Sequence, residues 1–65
     1  MQKNELRSIM IKHGDNSRTL AQALELSGPC FSAKLNGKRP FKTKELLFMA
    51  KRYELSADDL LRIFA

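Results

Sequence analysis

Residues Asn16 to Phe41 read NSRTLAQALELSGPCFSAKLNGKRPF, and the order of small, apolar and basic residues in this stretch decides the fold. Leu20, Ala21 and Leu24 fall on one stripe of an α-helix, with Gln22 and Ala23 turned away. Asn16 or Ser17 starts that helix, because either side chain can accept a hydrogen bond from the free N–H groups of a first turn. Ser27-Gly28-Pro29 marks a second start, a Ser cap with Pro in the first turn where its missing N–H is harmless. Phe31 and Leu35 then form an apolar i,i+4 pair, the inward stripe of the second helix. Two helices this short are not stable alone, and a turn of about four residues makes them cross steeply rather than lie antiparallel. The expectation is a helix-turn-helix over residues 16–36.

In that geometry the far side of the second helix, residues 28–36, is free to enter a major groove. Opposite Phe31 the helix carries Pro29, Ala33 and Asn36, with Ser32 and Cys30 flanking. Pro29, Ser32, Ala33 and Asn36 are the candidate base-reading residues. The pair Leu20-Ala21, then Ser27 and Phe31, and above all Lys34-Leu35-Asn36-Gly37-Lys38-Arg39-Pro40-Phe41, resemble the Cro/repressor (XRE-like, lambda-repressor-like) helix-turn-helix family of phages and bacteria. The resemblance runs from about Glu5 to Phe64. Its ending, Asp58-Asp59-Leu60-Leu61-Arg62-Ile63-Phe64, is similar to small phage-encoded members made of this one domain. Two departures from the family pattern stand out, one in the turn and one on the outward face of the second helix. Glu25 stands where the family carries Gly in the turn, and a left-handed non-Gly residue costs on the order of 1 kcal/mol. Gly28, Pro29 and Ala33 stand where the family carries polar base readers, so that only Ser32 offers a side-chain hydrogen bond near the start of the helix.

Charge supports the same partner. The 65 residues carry 12 Lys and Arg against 7 Asp and Glu, a net charge of +5, and a small basic domain favours polyanions. Between Lys34 and Arg52 the sole acidic residue is Glu45, among Lys34, Lys38, Arg39, Lys42, Lys44, Lys51 and Arg52. Lys34, Lys38, Arg39 and Lys42 are therefore candidate phosphate contacts, while Lys51 and Arg52 suit a helix C-terminus. The resemblance adds Ser17 and Arg18, at a helix start that meets a phosphate in this family, where N–H groups and dipole favour an anion.

The remaining segments read as support. Leu6, Ile9 and Met10, with His13, make residues 2–13 an amphipathic helix ended by Gly14, its polar side with Lys3, Arg7 and Lys12 facing solvent. GKRPFK from Gly37 to Lys42 is a loop in which Phe41 anchors exposed cations to the body. Thr43 caps a fourth helix with Leu46, Met49, Ala50 and Tyr53 inward, which leaves Phe48 and part of Leu47 over. Ser56-Ala57-Asp58-Asp59 is a capping box opening a fifth helix, on which Leu60, Leu61, Ile63 and Phe64 are too many for one narrow stripe. Phe48, Leu61 and Phe64 are the candidate dimer contacts, since long repressors dimerise through a further domain that is not expected here. Leu24-Glu25-Leu26-Ser27 and Tyr53-Glu54-Leu55-Ser56 echo each other as shared helix-end punctuation.

Other function classes find little footing. Hydrophobic residues at 43% and charged residues at 29% are a globular balance, and the chain is too short for a buried multi-residue catalytic site. The single Cys30 has no candidate base and His13 no companion ligand, so neither a catalytic residue, a metal nor a cofactor is expected. The longest apolar run, Leu46 to Ala50, cannot span a bilayer, and MQKNELR lacks a signal-peptide core, so a cytoplasmic location is expected in a bacterial host or from a phage. The unified expectation is an all-α, five-helix lambda-repressor-like domain spanning 1–65 that binds double-stranded DNA as a sequence-specific transcriptional regulator, with a possible homodimer. The alternative is a protein-interaction module on the same fold, using Pro29, Cys30 and Ala33 to hold a regulator or polymerase subunit. RNA is a weaker third partner, for want of an exposed aromatic platform. Four phosphates neutralised per subunit imply a log–log salt slope of roughly −3.6.

Overall fold

The computed structural model describes residues 2–65, so of the expected 1–65 domain only Met1 lies outside the described residues. The chain is all-α: helices α1 (Lys3–Lys12), α2 (Ser17–Ala23), α3 (Gly28–Leu35), α4 (Thr43–Arg52) and α5 (Ala57–Phe64) follow one another with no strand among the described residues. Its radius of gyration of 10.6 Å is close to the ~11 Å of a packed chain of this length.

Polar caps set where the helices begin. Asn16 accepts the Thr19 N–H at 2.9 Å while Thr19 Oγ1 accepts the Asn16 N–H at 2.9 Å, a reciprocal cap for α2. Ser27 Oγ accepts the Cys30 N–H at 3.2 Å, with Pro29 in the first turn of α3. Ser56 and Asp59 form the capping box expected for α5, at 3.1 and 3.0 Å. Thr43 is not a cap: it is the first helical residue of α4, and Glu45 instead reaches back to accept the Lys42 N–H at 2.8 Å. A carboxylate three residues into the helix accepts that N–H and the adjacent dipole favours it, so the hydroxyl is not needed.

The ends of α1 to α4 share one device. Gly14, Glu25, Gly37 and Glu54 have φ of 78°, 59°, 79° and 55°. In each case the next N–H turns back to the helix: Asp15 to Met10 O at 2.7 Å, Leu26 to Ala21 O at 2.9 Å, Lys38 to Ala33 O at 2.9 Å and Leu55 to Ala50 O at 2.8 Å. These bonds satisfy carbonyls that a helix end would leave bare, and the left-handed residue is what lets the chain turn to make them. The echo between Leu24–Ser27 and Tyr53–Ser56 is this device twice, each time with Glu in the left-handed position and a Ser cap following.

The core joins all five helices. Leu6, Met10, Leu20, Ala21, Phe31, Leu35, Met49, Tyr53 and Ile63 are buried, with Ile9, Leu24, Leu26, Phe41, Leu46, Leu55 and Phe64 packed around them. α2 packs against α3 and α1 against α5, where the Gln2 N–H also donates to Ile63 O at 2.7 Å. His13 is exposed rather than part of the α1 stripe, with its ring tilted over Tyr53 at 5.1 Å. Asp15, in the link after α1, collects partners from two other elements. It holds Arg52 through Nε and Nη2 at 2.8 and 2.9 Å, the Tyr53 hydroxyl at 2.6 Å and the Thr19 hydroxyl at 2.8 Å. The Arg52 hydrogen bonds outweigh burial and, with Tyr53 and Thr19, keep the Asp15 carboxyl well below the usual carboxylate range. Burial and the Asp15 charge together push the Tyr53 phenol above its ordinary value.

Two stability outcomes follow from this architecture. Because an added Cβ at Gly37 meets no atom within 4 Å, Gly37→Ala should cost only the backbone penalty, about 1 kcal/mol, while Glu25→Gly shifts stability the other way by a few tenths; urea midpoints at neutral pH compare them. Asp15 ionises at lower pH folded than unfolded, so the unfolded chain takes up its proton first and stability falls with acid. That contribution is complete above about pH 5 and drains as pH drops through the Asp15 titration, and Asp15→Asn, costing about 2 kcal/mol at pH 7, should flatten this limb in urea titrations from pH 7 to 2.

Candidate nucleic-acid interface

α3 lies against the core with one side and is open on the other. Phe31, Lys34 and Leu35 are buried, while Gly28, Pro29, Ser32 and Asn36 are exposed and Cys30 and Ala33 half-buried. The four candidate base readers thus do not stand equally. Pro29 and Ser32 are exposed on the first half of the helix, whereas the Ala33 carbonyl already accepts the Lys38 and Arg39 N–H groups at 2.9 and 3.3 Å. Asn36 braces the helix end, donating to Ser32 O at 2.9 Å and Ser32 Oγ at 3.3 Å and accepting from Lys3 Nζ at 3.1 Å. Half-burial of Cys30 and Ala33 also shrinks the apolar surface that a protein partner would find here.

Lys34 leaves the phosphate-contact set. Its side chain is 6% exposed and its Nζ sits 2.6 Å from Glu45 Oε1. The reason is helical spacing: three residues after Phe31 and one before Leu35, Lys34 is on the inward side of α3, and a buried ammonium stays only where a carboxylate meets it. Burial opposes ionisation of Glu45, but the Lys34 hydrogen bond and the Lys42 N–H overcome it and hold its pKa below the ordinary glutamate value. The partner was visible as the lone acid in a basic stretch.

The basic loop after α3 is held at both ends and in the middle. Lys38 and Arg39 N–H groups bond to Ala33 O, and the Lys42 N–H bonds to Glu45. Between them Phe41 meets Phe31 edge-on at 6.2 Å and Phe64 at 5.7 Å, so it is the anchor that the sequence suggested. Lys38, Arg39 and Lys42 remain exposed. Arg39 and Lys42 line a shallow groove with Leu26 and Cys30 on one flank of α3. On the other flank a larger open groove, about 450 Å³, brings Arg7 together with Ser17, Arg18, Gln22 and Ser32 over a floor that includes Phe31 and Leu35. Ser17 and Arg18 are exposed at the start of α2, where they flank α3. Arg7 is exposed, as its place on the polar side of α1 predicts, and that this side lies beside α3 is a tertiary fact that helix periodicity does not carry.

Pairing sorts the charges. Asp15 takes Arg52, Glu45 takes Lys34, and Glu5 and Asp59 share Arg62 at 2.6 and 3.1 Å. Arg7, Arg18, Lys38, Arg39 and Lys42 pair with no acidic side chain among the described residues. Of the candidate dimer contacts, Phe48 is 40% and Leu61 65% exposed, whereas Phe64 is half-buried and spends one edge of its ring on Phe41. Leu47, at 61%, and Ile11, at 75%, are exposed as well. No group of three or more His, Cys, Asp or Glu residues able to hold a metal occurs among the described residues, and none of the helices there is long and apolar enough to cross a membrane. No family model, curated protein or solved structure matches this chain.

The Lys34–Glu45 pair yields a paired outcome. Lys34→Met strands Glu45 and should lower stability by about 3 kcal/mol, while Lys34→Met with Glu45→Gln, which keeps an acceptor for the Lys42 N–H, should recover most of it. Thermal unfolding of both variants measures the difference.

Proposed function

We propose that the protein is a double-stranded DNA-binding transcriptional regulator of the Cro/repressor type, a lambda-repressor-like fold in which α2 and α3 are the helix-turn-helix and α3 enters the major groove. The observation that carries this reading is the exposed side of α3 flanked on both sides by cations that form no ion pair with an acidic side chain among the described residues. An α-helix fits a major groove about 12 Å wide, and such a docking brings a phosphate backbone close on each side. Arg18 on one flank and Arg39 and Lys42 on the other, with exposed Lys38 in the same loop, supply the counter-charge, with Ser17 beside Arg18 as a hydroxyl donor.

Direct base reading is slight, since Ser32 is the exposed donor free near the helix start while Asn36 is engaged. Phosphate contacts and DNA shape therefore carry most of the affinity, giving modest specificity and steep salt dependence. Regulation is by occupancy: bound protein blocks or modulates polymerase at a promoter, in the bacterial cytoplasm, for a phage or other mobile element. Two copies related by a two-fold axis, using Phe48 and Leu61, would set the half-site spacing.

Enrichment from a random-duplex library near 100 mM salt tests this. The expected product is a two-fold symmetric motif with half-sites about one helical turn apart. Lys38→Gln with Arg39→Gln should flatten the log–log salt slope by roughly 1.8 per subunit. Retention of no duplex would defeat the proposal, and binding without any motif would reduce it to a nonspecific binder.

A further inference from the structure

Lys3 and Arg7 of α1 have no place in the contacts assigned so far. They stand four residues apart, so they project from the same side of the helix. Both reach α3 by separate observations. Lys3 Nζ donates to Asn36 Oδ1 at 3.1 Å, at the end of α3. Arg7 shares the groove wall with Ser17, Arg18 and Ser32, beside the body of α3. Neither pairs with an acidic side chain among the described residues, although Glu5 on the same helix is taken by Arg62. Lys3, Arg7 and Arg18 thus make a row of positive charge along one flank of α3, where Arg39 and Lys42 line the other.

We infer that Lys3 and Arg7 make α1 a phosphate-binding element that follows the DNA strand on the Ser32 side of α3. The inference rests on the DNA-binding reading above. A helix seated in the major groove has a sugar-phosphate backbone on either side, and the loop cations can serve just one of them. Lys3 and Arg7 join Arg18 in serving the other. The groove is open, and its polar lining, Arg7, Ser17, Arg18, Gln22 and Ser32, is exposed; spaced charges of this kind suit a continuous polyanion rather than an enclosed small ligand. Salt between 50 and 200 mM weakens each such contact by release of condensed counterions, so the number of contacts is readable from the slope.

The experiment is fluorescence anisotropy of the full chain on a duplex of about twenty base pairs across a salt series, for wild type, Arg7→Gln, Arg7→Lys and Lys3→Gln with Arg7→Gln. Six cations, Lys3, Arg7, Arg18, Lys38, Arg39 and Lys42, predict a wild-type slope of roughly −5.4 per subunit in place of −3.6. The double variant should return to about −3.6, with affinity lost equally on selected and random duplexes, and Arg7→Lys should keep the wild-type slope. Both side chains are exposed, so unchanged melting curves distinguish a lost contact from unfolding. If the double variant keeps the wild-type slope while Lys38→Gln with Arg39→Gln flattens it, the α1 row is overturned and the DNA reading stands. Loss of affinity for one sequence alone would also overturn it, since that marks base reading. A wild-type chain that retains no duplex overturns both.

Discussion

One carboxylate oxygen of Glu45 receives the Lys34 ammonium and the Lys42 N–H together, at 2.6 and 2.8 Å. Three elements meet at that atom: the inward side of α3, the end of the basic loop and the first turn of α4. Burying an ion pair stabilises little in itself, because desolvation consumes most of the attraction. Its effect is positional. An ammonium enclosed at 6% exposure has no other acceptor, so α3 can sit against α4 in one orientation, and the loop must finish where the carboxylate waits. Asp15 does the same work on the far side of the core, joining the link after α1 to α2 and to the end of α4.

Spending acids in this way shapes the surface. With Asp15, Glu45, Glu5 and Asp59 each bound to another cation, Arg7, Arg18, Lys38, Arg39 and Lys42 around α3 form no ion pair among the described residues. A net charge of +5 says little about where a polyanion would land; the pairing pattern says more.

Much of the helical layout was legible because it depends on local chemistry. The Ser27 and Ser56 caps and Pro29 in a first turn are each settled by a few neighbouring residues, and each appears in the structure as expected. The buried positions Leu20, Ala21, Phe31, Leu35 and Met49 follow from helical spacing against an apolar interior. What escaped depends on two elements meeting. Lys34 looked like one more cation of the basic stretch, since its burial needs Glu45 eleven residues on. Phe64 looked surplus on α5, since its partner Phe41 lies in a loop. Arg7 points wherever α1 is laid, and periodicity within α1 does not say that α3 is its neighbour.

The basic loop between α3 and α4 is fastened at Ala33, at Phe41 and at Glu45, so its backbone is ordered before any partner arrives. Six residues that had to be ordered on contact would each cost about 1–2 kcal/mol of backbone entropy. Here that cost falls on folding and not on association. A polyanion brought to this surface would meet charges on a backbone already ordered, and the heat-capacity change of such an encounter would reflect surface covered alone, with no contribution from coupled folding.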